Sequence, residues 1–88
     1  MNKILIVDDE KDIRILLTSI FNDEGHHTIM ASTISEAEKI IETESFDLAL
    51  LDISLDEKKK DGIYLLKKIK KKNKDLPVIM ISGHATVQ

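Results

Sequence analysis

The sequence predicts an α/β domain built on a doubly wound parallel sheet. Three observations carry that prediction. Apolar runs at residues 4–7, 48–51 and 78–81 lack the alternation of a half-solvated strand and read as strands covered on both faces. Stretches with helical period separate the strands, so the connections are crossovers rather than hairpins. Acids close the first two runs, Asp8-Asp9 and Asp52, at the carboxyl ends of strands, where open α/β sheets bind their ligands.

Ile4-Leu5-Ile6-Val7 is the first strand and stops at Asp8-Asp9-Glu10. A helix follows, with Ile13, Leu16, Leu17, Ile20 and Phe21 at the i, i+3, i+4, i+7, i+8 spacing of one apolar face. Glu10 and Asp12 suit the positive end of its dipole, and Gly25 supplies a C-terminal stop. Residues 27–31 form a weaker second strand. Thr33 and Glu36 have capping-box spacing and open a second helix with Ala37, Ile40 and Ile41 inward. Residues 46–52 are the third strand, around which the chain is organised. Residues 54–60 are charged, lack period and read as a loop. Asp61-Gly62 starts a third helix, with Gly62, Leu65, Leu66 and Ile69 toward the sheet. Lys67, Lys68, Lys70, Lys71, Lys72 and Lys74 crowd its end, where cations meet the negative pole of the dipole. They read as a solvated helix end, with a docking patch for an acidic partner as the alternative. Pro77 breaks the helix, and residues 78–81 form a fourth buried strand ending at Ser82-Gly83. The order β-α-β-α-β-α-β requires right-handed crossovers and a parallel sheet.

The 88 residues make one small domain, 42% hydrophobic and 33% charged, with a net charge of −3 that gives no general pull toward nucleic acid. Without cysteine there is no disulfide framework, thiol nucleophile or thiolate metal site. The apolar run after Met1 is too short for a signal peptide or a membrane span, so a cytoplasmic location and no membrane partner are expected.

The first, third and fourth strands end at Asp8-Asp9, Asp52 and Ser82. Brought side by side, they place three carboxylates and a hydroxyl in one crevice. Two carboxylates about 4 Å apart repel by about 4 kcal/mol at an effective dielectric near 20. A raised pKa offsets that repulsion, and so does a divalent cation; Mg²⁺ suits the all-oxygen donor set. A metal there allows the site to hold a phosphoryl group, and a carboxylate can itself be the nucleophile that becomes an acyl phosphate. Asp52 stands alone and is the better nucleophile; Asp8 and Asp9 come paired, as metal ligands would. Local alternatives stay open: Asp8 or Asp9 as a helix cap, Asp52 as a turn residue, Ser82-Gly83 as a plain turn. His26, His27 and His84 are scattered and are not read as ligands.

Taken together, Lys3-Ile4-Leu5-Ile6-Val7-Asp8-Asp9-Glu10, Asp47-Leu48-Ala49-Leu50-Leu51-Asp52, Asp61-Gly62 and Leu76-Pro77-Val78-Ile79-Met80-Ile81-Ser82-Gly83 resemble the receiver domain of bacterial two-component response regulators. The long loop after Asp52 and the Ile81-Ser82-Gly83-His84-Ala85 ending are most similar to the NtrC/NtrX type. The resemblance implies a flavodoxin-like (CheY-like) sheet of order 2-1-3-4. It also implies one receiver domain over residues 1–88, with the fifth strand and last helices missing. Asp52 matches the phospho-acceptor, phosphorylated by a sensor histidine kinase in a Mg²⁺-dependent reaction. Asp9 matches a direct Mg²⁺ ligand, Asp8 its partner acting through water, and Ser54 the residue whose backbone carbonyl is a ligand. Ser82 matches the hydroxyl that contacts the phosphoryl group and switches position, and Ala85 falls where the family has small residues near the site. The chain departs from the pattern in lacking the usual Met-Pro after the acceptor. No lysine here matches the family's fifth-strand lysine.

The resemblance thus implies a signalling module in a phosphorelay, tied to transcription regulation, that is not an enzyme in the turnover sense and does not itself bind nucleic acid. Exposed apolar residues on the fourth-strand edge lead to an expectation of self-association or of a partner strand. Two other readings are a Mg²⁺-dependent aspartate-nucleophile phosphohydrolase of the haloacid dehalogenase type and an inactive remnant that only self-associates. The former wants a second Asp two residues after the nucleophile, where this chain has Ser54.

Overall fold

The computed structural model describes residues 2–57 and 59–81. In chain order the elements are β1 (Lys3–Val7), α1 (Lys11–Asp23), β2 (His27–Ala31), α2 (Ile34–Thr43), β3 (Leu48–Asp52), β4 (Asp56–Glu57), β5 (Lys60–Asp61), α3 (Gly62–Lys72) and β6 (Val78–Ile81). Four of the strands form a parallel sheet in the order β2-β1-β3-β6, and β4 and β5 form a separate antiparallel pair. The predicted order is therefore present, with β6 as the fourth strand of the sheet.

Alternate residues of each central strand serve opposite faces. Leu5, Val7, Ala49 and Leu51 join Ile34, Ala37, Ile41, Leu65 and Ile69 in the larger core, under α2 and α3. Ile4, Ile6 and Leu50 face the other way and pack with Leu17 and Phe21 of α1. Helices on both faces explain the unbroken apolar runs. Register then fixes the site. Ile4 pairs with Leu48 and Val7 with Leu51, so one further step along both strands sets Asp8 beside Asp52.

Local chemistry sets the helix ends. Thr33 Oγ1 accepts the Glu36 N–H at 3.1 Å and Asp61 Oδ1 accepts the Tyr64 N–H at 2.9 Å, so both residues are N-caps. Glu36 reaches back one residue further than a capping box requires, taking the Ser32 N–H at 2.7 Å and hydroxyl at 2.8 Å. Gly25 has φ +84° and ends α1 in a Schellman motif: its N–H meets Asn22 O and that of His26 meets Phe21 O, both at 3.0 Å. Gly62 is required by a close approach. A Cβ there would lie 2.5 Å from the Asp52 carbonyl oxygen and 3.1 Å from Ile53 Cα. The Asp-Gly pair thus caps α3 and lets its first turn press against the end of β3.

Three expectations are corrected. Residues 54–60 are not wholly irregular, since Asp56 pairs with Asp61 and Glu57 with Lys60 in a short hairpin. These strands are too short and too charged to show alternation, and Lys59 adopts φ +69° without the glycine that would signal such a turn. On α1, Leu16 and Ile20 are 55% and 47% exposed; only one edge of the predicted stripe, carrying Leu17 and Phe21, packs on the sheet. The fourth strand is half-buried rather than buried, with Ile79 49% exposed, because β6 is an edge of the described sheet.

Candidate functional site

The carboxyl ends of β1 and β3 bring together Asp8, Asp9 and Asp52. One carboxylate oxygen from each lies within 4.8 Å of the others. Asp8 and Asp52 are fully buried, and Asp9 is exposed at the rim.

Each buried acid is held by the backbone just after it. Asp8 Oδ1 accepts the Glu10 N–H at 2.8 Å. Asp52 Oδ1 accepts the Ser54 N–H at 2.9 Å and the Ser54 hydroxyl at 2.7 Å. Asp52 therefore does the turn work that local reading allowed it, whereas Asp8 holds a turn of the same kind and is not the helix cap considered for it, since the N-cap of α1 is Glu10. That work uses one oxygen of each. The other, Oδ2, is buried in both and has no hydrogen-bond partner among the described residues. A buried carboxylate oxygen without a partner is costly, and two of them side by side need positive charge. The donor set is all oxygen, which suits a hard divalent cation. Asp8 registers the strain: burial raises its pKa, the charges of Asp52, Asp9 and Glu10 act the same way, and the Glu10 N–H opposes them.

Arg14 escaped the sequence reading. It is the sole arginine, and it lies near the N-terminus of α1, where the helix dipole disfavours a cation. Its Nη1 donates to the Asp8 carbonyl at 2.7 Å, which ties α1 to the turn that carries the acids. An arginine in that unfavourable place beside an acidic pair was the available signal. Ser54 meets Asp52 through its N–H and its hydroxyl, both donating to Oδ1. Ser82 and Ala85 lie outside the described residues.

A second polar cluster connects the hairpin to the helices. Glu38 on α2 accepts Tyr64 Oη at 2.6 Å, Lys68 Nζ at 3.3 Å and Lys60 Nζ at 3.4 Å. The Lys60 ammonium also sits 5.0 Å from the Tyr64 ring centroid. No described helix is long and apolar enough to cross a membrane.

The family model for the response regulator receiver domain matches residues 4–88. An NtrX-like response regulator of Rickettsia bellii is 41% identical over 85 residues, covering 97% of this chain and 18% of that protein. The crystal structure of NtrX from Brucella abortus in complex with ADP superposes with a TM-score of 0.86 at 46% identity, covering 96% of this chain and 19% of that one. TrrA of Thermotoga maritima, crystallised with Mg²⁺ and BeF, gives a TM-score of 0.86 at 34% identity, covering 97% of this chain and 72% of that one. TrrA has also been solved in complex with the histidine kinase ThkA; there the TM-score is 0.83 at 33% identity, covering all of this chain and 74% of that one. The chain thus spans about a fifth of the NtrX relatives it matches.

Proposed function

The chain belongs to the response regulator receiver domain family, and on that premise we propose that it accepts a phosphoryl group on Asp52 from a sensor histidine kinase and relays it as a conformational change. The observation that carries this reading is the pair of buried acids, Asp8 and Asp52, each with an oxygen that has no partner among the described residues, joined at the rim by Asp9. A structural pair of that kind would cost stability and return nothing. A pair that receives a cation and then a phosphoryl group has a use for those oxygens.

Asp52 is the nucleophile. Its carboxylate oxygen bonds to phosphorus, the phosphorus–nitrogen bond of the donor phosphohistidine breaks, and the imidazole leaves with the electron pair. Asp8 and Asp9 hold Mg²⁺, with Asp52 and the backbone carbonyl of Ser54 completing the protein's share of the ligands. The bound metal supplies charge neutralisation for the acids and for the phosphoryl oxygens. TrrA, crystallised with Mg²⁺ and BeF, supports that choice of ion by similarity. Its complex with ThkA supports a kinase partner in the same way. Ser82 contacts the phosphoryl group through its hydroxyl and carries the switch. The chain acts as a signalling module with a covalent intermediate as its product, not as a turnover catalyst.

The test is intact-mass analysis of the chain incubated with Mg²⁺ and acetyl phosphate, beside Asp52→Asn. The expected result is a phosphoryl adduct on the parent, absent from the variant and from a reaction containing a metal chelator. An adduct that survives Asp52→Asn, or steady turnover of simple phosphate esters in place of an adduct, would overturn the proposal.

A further inference from the structure

The lysines that crowd the end of α3 are not equivalent in the structure. Three are tied down. Lys68 Nζ meets Glu38 at 3.3 Å and Glu42 at 3.5 Å. Lys70 Nζ donates to the Leu76 carbonyl at 2.5 Å and the Lys74 carbonyl at 3.3 Å. Lys72 Nζ donates to the Ile41 and Glu42 carbonyls and so closes the C-terminal end of α2. Lys67, Lys71 and Lys74 are exposed, and among the described residues their ammonium groups have no acid or carbonyl partner. Lys67 and Lys71 lie one turn apart, where like charges oppose helix formation, and α3 carries no acid to offset them. Lys67 also precedes the last turn, so the helix dipole does not account for it. Tyr64, Lys67, Lys68 and Lys71 surround a depression of about 260 Å³. Their i, i+3, i+4, i+7 spacing is that of the four residues that form a hole for a side chain of a facing helix. Ile63, 36% exposed, stands one turn before Lys67 and continues this face with an apolar side chain.

We propose that the outer face of α3 docks an acidic helix of a partner protein, with a partner glutamate seated in the hole between Lys67, Lys68 and Lys71. The inference does not depend on the chemistry of Asp52. A carboxylate matches the rim, which offers two unpaired ammonium groups and a third already shared with Glu38 and Glu42. The Tyr64 hydroxyl is engaged by Glu38, which leaves the ring to meet the methylenes of the entering side chain. The basic row is narrow. Glu42, with a side chain 64% exposed, flanks it on α2, and the chain as a whole carries −3. A broad polyanion such as duplex DNA or an anionic bilayer would meet those acids as well as the lysines. A helix with one acid per turn on a single face meets the lysines alone, and an apolar residue ahead of its acids meets Ile63.

The experiment is fluorescence anisotropy of a labelled helical peptide that carries one leucine and then one glutamate per turn along one face. The parent is expected to bind it, more weakly as salt rises. Lys67→Gln/Lys71→Gln is expected to bind about fivefold more weakly, the sum of two exposed ion pairs. Lys11→Gln/Lys39→Gln removes the same charge from exposed positions elsewhere and is expected to keep the parent's affinity. A peptide of the same composition with its glutamates spread around the helix is expected to bind less well. Thermal melts accompany each variant, and Lys67→Gln/Lys71→Gln is expected to melt no lower than the parent, since it relieves a like-charge pair. A lower melt would mark a structural role for the two lysines and overturn the inference. Equal weakening by the two double variants, or equal binding of the two peptides, would reduce the effect to bulk charge and overturn it too. So would a parent that binds no peptide, or one that binds duplex DNA or phosphatidylserine vesicles more tightly than the peptide at the same salt.

Discussion

Asp8 is buried beside a second buried acid, and burial, followed by the charges of its neighbours, raises its pKa. A carboxyl whose pKa is higher folded than unfolded binds its proton more tightly in the native state. Above that raised value it is ionised in both states and its penalty is fully present; as pH falls through the value, the penalty disappears. Asn keeps an oxygen to accept the Glu10 N–H and carries no charge. In Mg²⁺-free buffer at neutral pH, Asp8→Asn is therefore expected to be more stable than the parent, with a higher urea midpoint. The gap closes on acidification, and added Mg²⁺ reverses it, because the cation stabilises only a folded state that binds it. Urea midpoints across pH, with chelator and with Mg²⁺, measure all three effects. A parent as stable as the variant at neutral pH without metal would mean that the site bears no charge strain.

The elements around Asp52 are connected through Glu38. The Tyr64 hydroxyl is the main cause of its lowered pKa, with Lys68 and Lys60 adding to it. An acid with a lowered folded pKa contributes stability that is complete above its ordinary value and is lost as pH falls through the folded one. The Lys60 and Lys68 side chains are 43% and 30% exposed, so solvent screens both ion pairs and each contributes little. The Tyr64 bond is shorter and half-buried. Tyr64→Phe is expected to cost about 1 kcal/mol, more than Lys60→Met or Lys68→Met. The difference between the parent and Glu38→Gln shrinks toward acid. A neutral Tyr64→Phe in thermal unfolding at pH 7 would remove Glu38 as the connecting residue. Nothing in the sequence announced this cluster, because its members lie 22, 26 and 30 residues from Glu38 and meet only when α2 and α3 pack. The caps at Thr33 and Asp61 and the stop at Gly25 were legible, because each is decided within a few residues. The placing of Asp8 beside Asp52 was legible only through the strand order that the resemblance implies, which sets β1 next to β3; the observed register then brings the two acids level. The exposure of Leu16 was not legible, because helical period marks an apolar stripe without saying how much of it the sheet covers.

At the scale of the whole molecule the two faces of the sheet are unequal. The α2 and α3 face holds most of the buried residues, whereas no residue of α1 is buried. Regions with few buried apolar contacts open at lower free energy than the global transition. Two links anchor the α1 end nearest the acids, the Arg14 bond to the Asp8 carbonyl and the Glu10 N–H bond to the Asp8 carboxylate. Both end on a residue proposed to hold Mg²⁺. Metal binding then fixes the turn at which α1 starts, and opening α1 in the bound state requires disturbing that turn. Native-state hydrogen exchange is expected to show α1 amides less protected than those of β1 and β3 without metal. Mg²⁺ is expected to raise α1 protection more than that of α3, whose cap on Asp61 does not touch the acids. Arg14→Met, which removes one link and leaves the carboxylates, is expected to weaken the Mg²⁺ effect on α1. Uniform protection of α1 and the central strands, with or without metal, would show instead that α1 opens only with the whole fold and that the acid site is not coupled to it.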